Sequence, residues 1–356
     1  MAGRRRRRSD VESLTEEGRG RWEEGVGNVW GLMVSYFGCF AAGKIDDQLL
    51  IDSFGHGFIT DLNLPSVLIA FAMSMLKILM AGVAIYACLV ALLWMFQERI
   101  AFPAPRRMLP EPALMGIDAA ERISVTTSDG VELFGWYLYP STVSPSIVSP
   151  STVKSPAIIW FYGNYETVGV MAPVIRALRP PGWGVLILDI RGYGESGGTA
   201  SEDGFYLDAE AAWNFLTSRP EIDSSRIVTY GRSLGTALAL HLAASKPVAA
   251  VILEAPFTSG TDMARAFYWW VPRFAVRVKL DNITNAEATN APLMVLHGSD
   301  DEIVPVEMGQ AVAKAGRAQV FHVYEGAGHN EMMLGDPERY RTDWIAFLRS
   351  AVEFRE

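Results

Sequence analysis

The longest uninterrupted apolar stretch of this chain runs from residue 78 to residue 96, ILMAGVAIYACLVALLWMF, and carries no charged side chain. As an α-helix rising about 1.5 Å per residue, this stretch would extend roughly 28 Å, close to the thickness of the hydrocarbon core of a bilayer. A buried core helix is normally shorter and has a polar stripe. The stretch therefore predicts one membrane-spanning helix, with Trp94 near its end suited to the membrane interface.

Two further apolar runs precede the predicted span. The run at residues 62–76 contains Pro65 and is separated from the span by Lys77, so it either extends the helix or lies along the membrane surface. The run at residues 29–42 is short and broken by glycine, which is more typical of an interfacial segment than of a second span. The sequence thus predicts a single-pass membrane protein.

Beyond residue 120 the chain alternates short β-branched runs with helical patterns. The helical patterns include YLDAEAAWNFLTSR, LGTALALHLAASK and ERYRTDWIAFLRSAV, and the strand-like runs are AIIWF, VLILD, RIVTY, VAAVILE, PLMVLH and QVFHVY. Strands that alternate with helices predict an α/β fold, in which a mostly parallel central sheet carries helices on both faces.

A different pattern opens this part of the chain. Residues 121–140 alternate polar and apolar positions around an Asp-Gly turn, which predicts a β-hairpin. The following residues 141–156, STVSPSIVSPSTVKSP, have low complexity and predict a surface loop. The chain is thus divided into a partly disordered or interfacial tail (1–61), a membrane segment (62–98), a proline-containing linker (99–120) and a folded domain (121–356).

Charge and cysteine content restrict the possible functions. The formal net charge is -9 at pH 7, and the folded domain has no clustered basic face, so nothing predicts a nucleic-acid partner. The one basic run, Arg4 to Arg8, is more typical of a solvated tail than of a contact for lipid or nucleic acid. Cys39 and Cys88 both precede the folded domain, which excludes a disulfide framework, a thiolate zinc site and a cysteine nucleophile within it.

The orientation in the membrane stays open. Arginines follow the predicted span from Arg99 onwards and Asp61 precedes it, which by the positive-inside rule places the folded domain in the cytoplasm. Translation starting at Met73 or Met75 would instead place Lys77 in a short basic region before the apolar stretch, and a signal anchor of that kind would export the domain.

A G-x-S-x-G motif stands between a predicted strand and a predicted helix. It reads Gly231-Arg232-Ser233-Leu234-Gly235, between RIVTY and LGTALALHLAAS. A tight strand-to-helix turn holds such a serine in an uncommon backbone conformation, and the glycines remove Cβ atoms that would collide with the neighbouring strand and helix. The motif predicts Ser233 as a nucleophile; the alternative is that Ser233 only caps the helix.

Five motifs follow successive predicted strands in a fixed order: FYGNYE, DIRGYGESGG, GRSLG, HGSDDEIVP and GAGHNE. In these motifs residues 121–356 resemble the α/β-hydrolase superfamily, and more narrowly its membrane-anchored single-domain serine hydrolases, which include protein depalmitoylases. The resemblance implies the α/β-hydrolase fold with a short cap between Phe257 and Asn290. The aromatic residues of FYWWVPRF in that segment either pack the cap onto the domain or line an acyl-chain groove.

The resemblance also implies a catalytic triad. The family pattern H-G-x-x-D-x-x-V-P, laid over HGSDDEIVP, assigns Asp301 as the acid, with its neighbour Asp300 and then Glu254 as alternatives. His329 follows the last predicted strand and completes the chain order Ser, Asp, His. We expect the other histidines to be packed or on the surface: His56, His241, His297 and His322.

This chemistry follows from the properties of serine. A serine hydroxyl barely ionises at neutral pH, so His329 must accept its proton while Asp301 fixes the imidazole tautomer. Two backbone N–H groups must then meet the negative charge on the substrate oxygen. We expect the Leu234 amide as one donor and the Asn164 amide as the other, with Tyr165 as the alternative to Asn164. Where relatives carry a histidine before this loop, the present chain has Tyr162.

The sequence therefore predicts hydrolysis of an ester or thioester, in a lipid or an acylated protein, through an acyl-enzyme. Two alternatives remain: a serine peptidase or amidase with the same triad, and a membrane-tethered binding protein without activity. DIRGYGESGG is glycine-rich but lacks the lysine-containing pattern of a phosphate-binding loop, and there is no metal cluster or dinucleotide motif. We expect no cofactor, and as partners the lipid bilayer and the acyl substrate.

Overall fold

The computed structural model describes residues 64–140 and 154–353. The predicted tail, the arginine run and most of the low-complexity loop lie outside the described residues. The chain divides into two compact units, residues 1–84 and residues 85–356. The sheet, its helices and the predicted site residues all belong to the second unit.

Helix α1 extends over Leu64–Ala101, so the apolar run at residues 62–76 extends the helix rather than forming a separate segment. The proline of this run lies in the first turn, where a missing amide hydrogen leaves no helical hydrogen bond unmade. Within α1, Leu68–Ala101 is long and apolar enough to cross a membrane. Apolar side chains are exposed on every side of this segment, as expected of a helix surrounded by lipid.

Eight strands form one sheet in the order β1-β2-β4-β3-β5-β6-β7-β8. The first two strands are the predicted hairpin, with Ala120 opposite Leu138, and β2 also pairs antiparallel to β4. All other pairs are parallel, as the alternating pattern predicted. The strands are β1 Ala120–Thr126, β2 Glu132–Leu138, β3 Ser155–Phe161, β4 Gly184–Leu188, β5 Ile222–Arg232, β6 Ala250–Glu254, β7 Leu293–Gly298 and β8 Val320–Tyr324.

Helices cover both faces of this sheet. The hydroxyl of Thr229 on β5 donates to a carbonyl of α4, whereas the ring of the next residue, Tyr230, packs on Trp344 of α9. The helices after α1 are α2 Ala172–Leu178, α3 Glu202–Thr217, α4 Gly235–Ser245, α5 Gly260–Phe267, α6 Asn282–Ala288, α7 Val306–Ala315, α8 Met332–Gly335 and α9 Pro337–Leu348. The fold is that of the α/β-hydrolases, as the motifs implied.

The core lies between the sheet and these helices. Strands β3, β4, β6 and β7 are buried almost throughout, which explains their uninterrupted apolar runs. Trp160, Tyr230 and Trp344 are fully buried and their rings contact one another. Aromatic contacts of this kind add about 0.5–1.5 kcal/mol per pair to the burial of apolar area. The sheet therefore fixes the ends of the strands from which the five motifs emerge.

The short cap predicted between Phe257 and Asn290 consists of α5, a 3₁₀ helix at Arg273–Ala275 and α6. It connects β6 to β7. Helix α5 has no buried residue and contributes little to the core, whereas Val278, Leu280 and Ala286 of the cap belong to it. Part of the cap is therefore available to form the wall of a pocket above the sheet.

Candidate active site

Ser233 stands at a sharp turn between β5 and α4. Its φ is 50°, a left-handed conformation that is uncommon for residues other than glycine. A Cβ atom at Gly231 would collide with the carbonyl of Gly235, and one at Gly235 with the carbonyl of Phe161. The two glycines thus allow strand and helix to approach closely around the strained serine, as the motif predicted.

The structure does not support a helix-capping role for Ser233. Leu234 occupies the N-cap position of α4 and makes no side-chain capping hydrogen bond. The Ser233 amide donates to the Glu254 carbonyl at 2.9 Å, and the Ser233 carbonyl accepts from the Thr236 hydroxyl at 2.6 Å. Backbone contacts therefore hold the turn, while the serine side chain lines a cavity.

Asp301 and His329 are joined by a hydrogen bond of 2.7 Å between Asp301 Oδ2 and His329 Nδ1. Both side chains are buried. The other carboxylate oxygen, Oδ1, accepts the backbone N–H groups of Ile303 and Val304 at 2.9 and 2.7 Å. The carboxylate is thus oriented by the backbone and in turn orients one nitrogen of the imidazole, which leaves Nε2 to act on a substrate or nucleophile.

The two alternative acids are engaged elsewhere. Asp300 is exposed and accepts the hydroxyl hydrogen of Ser299 at 2.7 Å. Glu254 accepts hydrogen bonds from the hydroxyls of Tyr230 and Tyr340 and forms an ion pair with Arg232 at 3.0 Å. Among the described residues, Asp301 is the acid that contacts the His329 ring.

His297 has a closer relation to this pair than the sequence predicted. We expected a packed or surface histidine, and the ring is indeed fully buried. Its Nε2 lies 2.9 Å from the Val304 carbonyl and 3.3 Å from Asp301 Oδ2. His297 therefore packs directly against the acid. The sequence signal was its fixed place in HGSDDEIVP, four residues before Asp301.

The remaining described histidines lie away from this pair. His241 stacks on Tyr206, and His322 bonds to Asp343 at 2.8 Å. His56 is outside the described residues. Neither the His241 ring nor the His322 ring bonds to a candidate triad acid, in agreement with the expectation that these histidines are packed or on the surface.

The environment of Asp301 stabilises its charged form. Burial by itself raises the pKa of a carboxyl group, but hydrogen bonds from His297, His329 and the Val304 amide outweigh it and hold the pKa of Asp301 well below its usual value. Above pH 4 the group is ionised in both folded and unfolded chains. Its contribution to stability is therefore present at neutral pH and is lost only as the pH falls through the lowered pKa.

Two backbone N–H groups near Ser233 fit the expected oxyanion site. In the described residues, neither the Leu234 amide nor the Asn164 amide donates to a protein acceptor. Leu234 and Asn164 both line the same cavity as Ser233. The alternative donor, the Tyr165 amide, is already bonded to the side chain of Asn164 at 3.2 Å. This arrangement favours Asn164 over Tyr165.

The side chain of Asn164 is held from two sides. Its Nδ2 donates to the carbonyl of Ala101 at 2.8 Å, and its Oδ1 accepts the hydroxyl of Tyr193 at 2.5 Å. Tyr193, from the motif DIRGYGESGG, thus holds the loop that carries the second candidate donor. The end of α1 takes part in the same contact, which no local sequence pattern indicates.

Tyr162 replaces the histidine of relatives without leaving a gap. Its hydroxyl donates to Asp189 Oδ1 at 2.9 Å and accepts the Ile190 amide at 3.1 Å. The Val168 amide donates to the same Oδ1 at 2.8 Å. Both loops that flank β3 and β4 are therefore tied together through one buried carboxyl group.

Replacing Asp189 with asparagine is expected to stabilise the protein at neutral pH. Burial raises the pKa of Asp189 to about 6, so ionisation opposes folding at higher pH, whereas an asparagine carbonyl at the Oδ1 position would keep both hydrogen bonds. The rise of the Asp189 pKa to about 6 corresponds to a loss of about 3 kcal/mol in the free energy of unfolding at pH 7.5. We expect Asp189→Asn to recover this free energy, and the gain should shrink as the pH falls from 6 towards 4. Thermal unfolding of the full chain in detergent at pH 5 and pH 7.5 measures this; an equal gain at both values would contradict the explanation.

Arg232, the second residue of the G-x-S-x-G motif, links the surrounding loops. Its guanidinium contacts Glu166 and Glu254, donates to the carbonyl of His329 at 3.1 Å and contacts the side chain of Asn330. Arg232 and Glu254 are buried, whereas Glu166 is partly buried. Glu166 also accepts the Gly163 amide at 2.6 Å. Sequence reasoning assigned no role to Arg232, because its partners lie in two of the motifs and at the end of β6, far apart in the chain.

A cavity of about 290 Å³ adjoins Ser233. Its walls are almost entirely apolar and come from the end of α1, the cap and the loop that contains Ile303. No charged side chain lines it. Among the described residues, no cluster of three or more histidine, cysteine or acidic side chains could hold a metal ion. The site thus consists of a serine that lines an apolar pocket and a paired histidine and aspartate, and Ile303 and Val304, whose amides bond to that aspartate, line the same pocket.

The cap aromatics divide between two positions. Phe267 and Tyr268 line the cavity that contains Ser233. Trp269 and Phe274 are 82% and 87% exposed, and do not line it. Part of the cap therefore forms a pocket wall, as one of the two interpretations proposed, and part faces outward.

Comparison with known proteins agrees with the fold and the motifs. The family model "Serine aminopeptidase, S33" matches residues 154–286. The α/β hydrolase domain-containing protein WAV2 of Arabidopsis thaliana is 32% identical over 73% of this chain and 89% of its own length. An uncharacterized Mycobacterium tuberculosis protein is 36% identical over 68% of this chain and 84% of its own length. A Pyrococcus furiosus esterase superposes with a TM-score of 0.56 at 23% identity, over 70% of this chain and 97% of that one.

The similarity to these two relatives extends over more than two thirds of this chain, so it is not confined to one motif. Identities above 30% over more than two thirds of the chain indicate common ancestry. The chain belongs to the α/β-hydrolase family and is a hydrolase.

Proposed function

We propose that this protein is a membrane-anchored serine hydrolase that cleaves a carboxylic ester or thioester of an acyl chain. Ser233 is the nucleophile, His329 the general base and Asp301 the acid that orients it. The observation that carries the proposal is the 2.7 Å hydrogen bond between Asp301 and His329, in a structure whose strained Ser233 lines an apolar cavity. Helix α1 supplies the proposed anchor.

In the first step, Ser233 Oγ attacks the acyl carbon while His329 Nε2 takes its proton. The negative charge that develops on the carbonyl oxygen is met by the N–H groups of Leu234 and Asn164. Loss of one such donor typically costs about 3 kcal/mol of transition-state stabilisation. Collapse of the intermediate expels the alcohol or thiol, which receives the proton from His329, and leaves an acyl-enzyme. Water then repeats the sequence and releases the acid.

The pocket favours an acyl chain over a charged substrate. Its volume of about 290 Å³ is close to the lower end of ligand pockets, which span roughly 300–1,000 Å³. Each methylene group of an acyl chain that is buried between such walls contributes about 0.8 kcal/mol to the free energy of binding. Peptidase activity is the nearest alternative, as the description of the matching family model suggests. An aminopeptidase must hold a charged amino group, and the described lining offers no acidic side chain for it.

Labelling with a fluorophosphonate probe tests the nucleophile. We expect the full-length protein to be labelled and the Ser233→Ala variant to remain unlabelled, because only an activated serine attacks the phosphorus. Ser245→Ala is the matched control, since this exposed serine lies at the other end of helix α4 and should not affect labelling. Equal labelling of the Ser233→Ala variant would overturn the proposal.

The substrate class is tested with matched esters, thioesters and peptide amides of one acyl chain. We expect turnover of the ester and thioester to exceed turnover of the amide, and to rise with chain length until the cavity is filled. Preference for a peptide with a free amino terminus would instead indicate the peptidase.

A further inference from the structure

The outward-facing aromatic side chains of the cap form an apolar surface on the catalytic unit. Phe267, Tyr268, Trp269 and Phe274 are all exposed, Trp269 and Phe274 almost completely. Contiguous exposed apolar surface is uncommon on soluble domains, and where it occurs it marks a contact with a partner or a membrane. These side chains lie within eight consecutive residues, on one short segment of the cap.

This surface lies alongside the last four turns of helix α1, in the same compact unit. The hydroxyl of Tyr86 donates to the carbonyl of Trp270 at 2.9 Å, and their rings are 6.4 Å apart. Further along the helix, Gln97 Oε1 accepts the backbone N–H groups of Arg277 and Val278 at 2.6 and 3.1 Å. The cap therefore runs lengthwise against the helix, with its tryptophans near Tyr86 and its later residues near Gln97.

The distance along α1 between these two contacts is large compared with the thickness of the interfacial region of a membrane. Gln97 lies eleven positions after Tyr86 in the helix, which corresponds to a rise of about 16 Å at about 1.5 Å per residue. Charged side chains meet at the Gln97 contact: the Arg277 guanidinium lies 4.7 Å from the centre of the Trp94 ring and 3.9 Å from the Glu98 carboxylate. The cap thus has an aromatic end and a charged end, separated along the axis of the helix.

The helix residues between the two contacts also expose apolar side chains. Leu89, Leu92, Met95 and Phe96 are all between 40% and 59% exposed. If the bilayer ended near Tyr86, these side chains and the cap aromatics would all contact water, at a cost of roughly 25 cal/mol per Å² of apolar area. A boundary near Gln97, where polar residues begin, places all of them in lipid.

From these contacts we propose that the aromatic end of the cap is inserted into the acyl region of the bilayer beside α1. Leu93 and Ile100 of the helix and Phe267 and Val271 of the cap line the cavity that leads to Ser233. The cavity thus opens towards lipid, and the acyl chain of a membrane substrate enters it sideways without crossing water. This rests on the proposed anchor and deepens the proposed function.

The charged side chains of the cap agree with this placement. Between residues 262 and 279 the cap carries four cations and one acid. Arg277 and Lys279 lie at the Gln97 end, at the level expected for lipid phosphates. Arg273 is next to Phe274, where its long side chain can reach the headgroups while its stem stays in the apolar region.

Fluorescence quenching measures the depth of the cap. Both native cysteines are first removed from the full-length protein by Cys39→Ser and Cys88→Ser. An environment-sensitive fluorophore is then attached to a single new cysteine, introduced as Trp269→Cys or Phe274→Cys. The labelled protein is reconstituted in vesicles whose lipids carry nitroxides on their acyl chains. We expect the label at 269 to be quenched most by a nitroxide deep in the chain, and the label at 274 by a shallow one. Ser224→Cys is the aqueous control, because Ser224 is exposed near the start of β5, whereas Ser233 follows the other end of the same strand.

A fluorophore at Leu92→Cys on α1 separates the possible results. Quenching at 92 but not at 269 or 274 would place the cap in water and overturn the inference, while leaving the anchor and the hydrolase intact. Absence of quenching at all three positions would overturn it together with the anchor. The same depths in the Ser233→Ala background support the inference even if the proposed chemistry fails, so the two are tested separately.

Discussion

Replacing Asp301 with asparagine is expected to lower kcat by about 10⁴-fold, because the amide would impose the wrong tautomer on His329. The Ile303 and Val304 amides both donate to Oδ1, so the asparagine carbonyl must occupy that position. Its NH₂ group then replaces Oδ2 and donates to His329 Nδ1. The imidazole hydrogen is forced onto Nε2, where it prevents the ring from accepting the proton of Ser233.

The steady-state kinetics of an acyl ester check this expectation, with kcat and KM determined separately. KM should change little, since Asp301 does not line the cavity. Asp300→Asn is the matched control, because its neighbouring carboxylate bonds only Ser299 on the surface, and we expect its kcat within about twofold of the parent's. A loss below tenfold in Asp301→Asn, or an equal loss in the control, would contradict the triad assignment.

The sequence predicted the sheet well because the parallel strands are buried on both faces. Runs such as VLILD need no alternation when helices cover both sides, so they stand out as short apolar segments. The first and last residues of the strands were predicted less accurately. Strand β5 begins at Ile222, before the apolar run, because Ser155 on β3 pairs with it there. Pairing with a distant strand leaves no mark in the local pattern.

The same distinction applies to the site. The turn at Ser233 could be predicted because its strain and its glycines are local consequences of five adjacent residues. The choice of Asp301 over Asp300 came from a family pattern and agrees with the contact to His329. The contact between Asn164 and the end of α1 could not be predicted, since it joins a helix to a loop more than 60 residues away.

Arg232 shows most clearly what sequence alone leaves out. A residue between the first glycine and the serine of a G-x-S-x-G motif has no fixed role, and arginine there suggests a surface side chain. In the structure it is buried and joins Glu166, which bonds the loop of Asn164, to the backbone of His329. Arg232 therefore links the loop of Asn164 to the loop of His329, and we expect it to act as a positioning residue for both.

Replacing Arg232 with methionine is expected to destabilise the protein by about 3–5 kcal/mol and to lower kcat by about 10²-fold. The stability loss arises because the buried Glu254 and the partly buried Glu166 would both remain without a cation. The catalytic loss arises because the His329 carbonyl loses its donor, and a shift of about 1 Å in a catalytic group can cost 10²-fold in rate. KM should change less than kcat, since Arg232 does not line the cavity.

A second substitution separates the two effects. In Arg232→Met with Glu166→Gln, one uncompensated carboxylate is removed, so part of the unfolding free energy should return. The contact to the His329 loop is still absent, so kcat should stay low. Arg232→Lys retains the charge but not the planar fork that reaches three loops at once, and we expect it to recover stability more fully than kcat. If kcat instead rose in step with stability across these variants, Arg232 would have only a structural role.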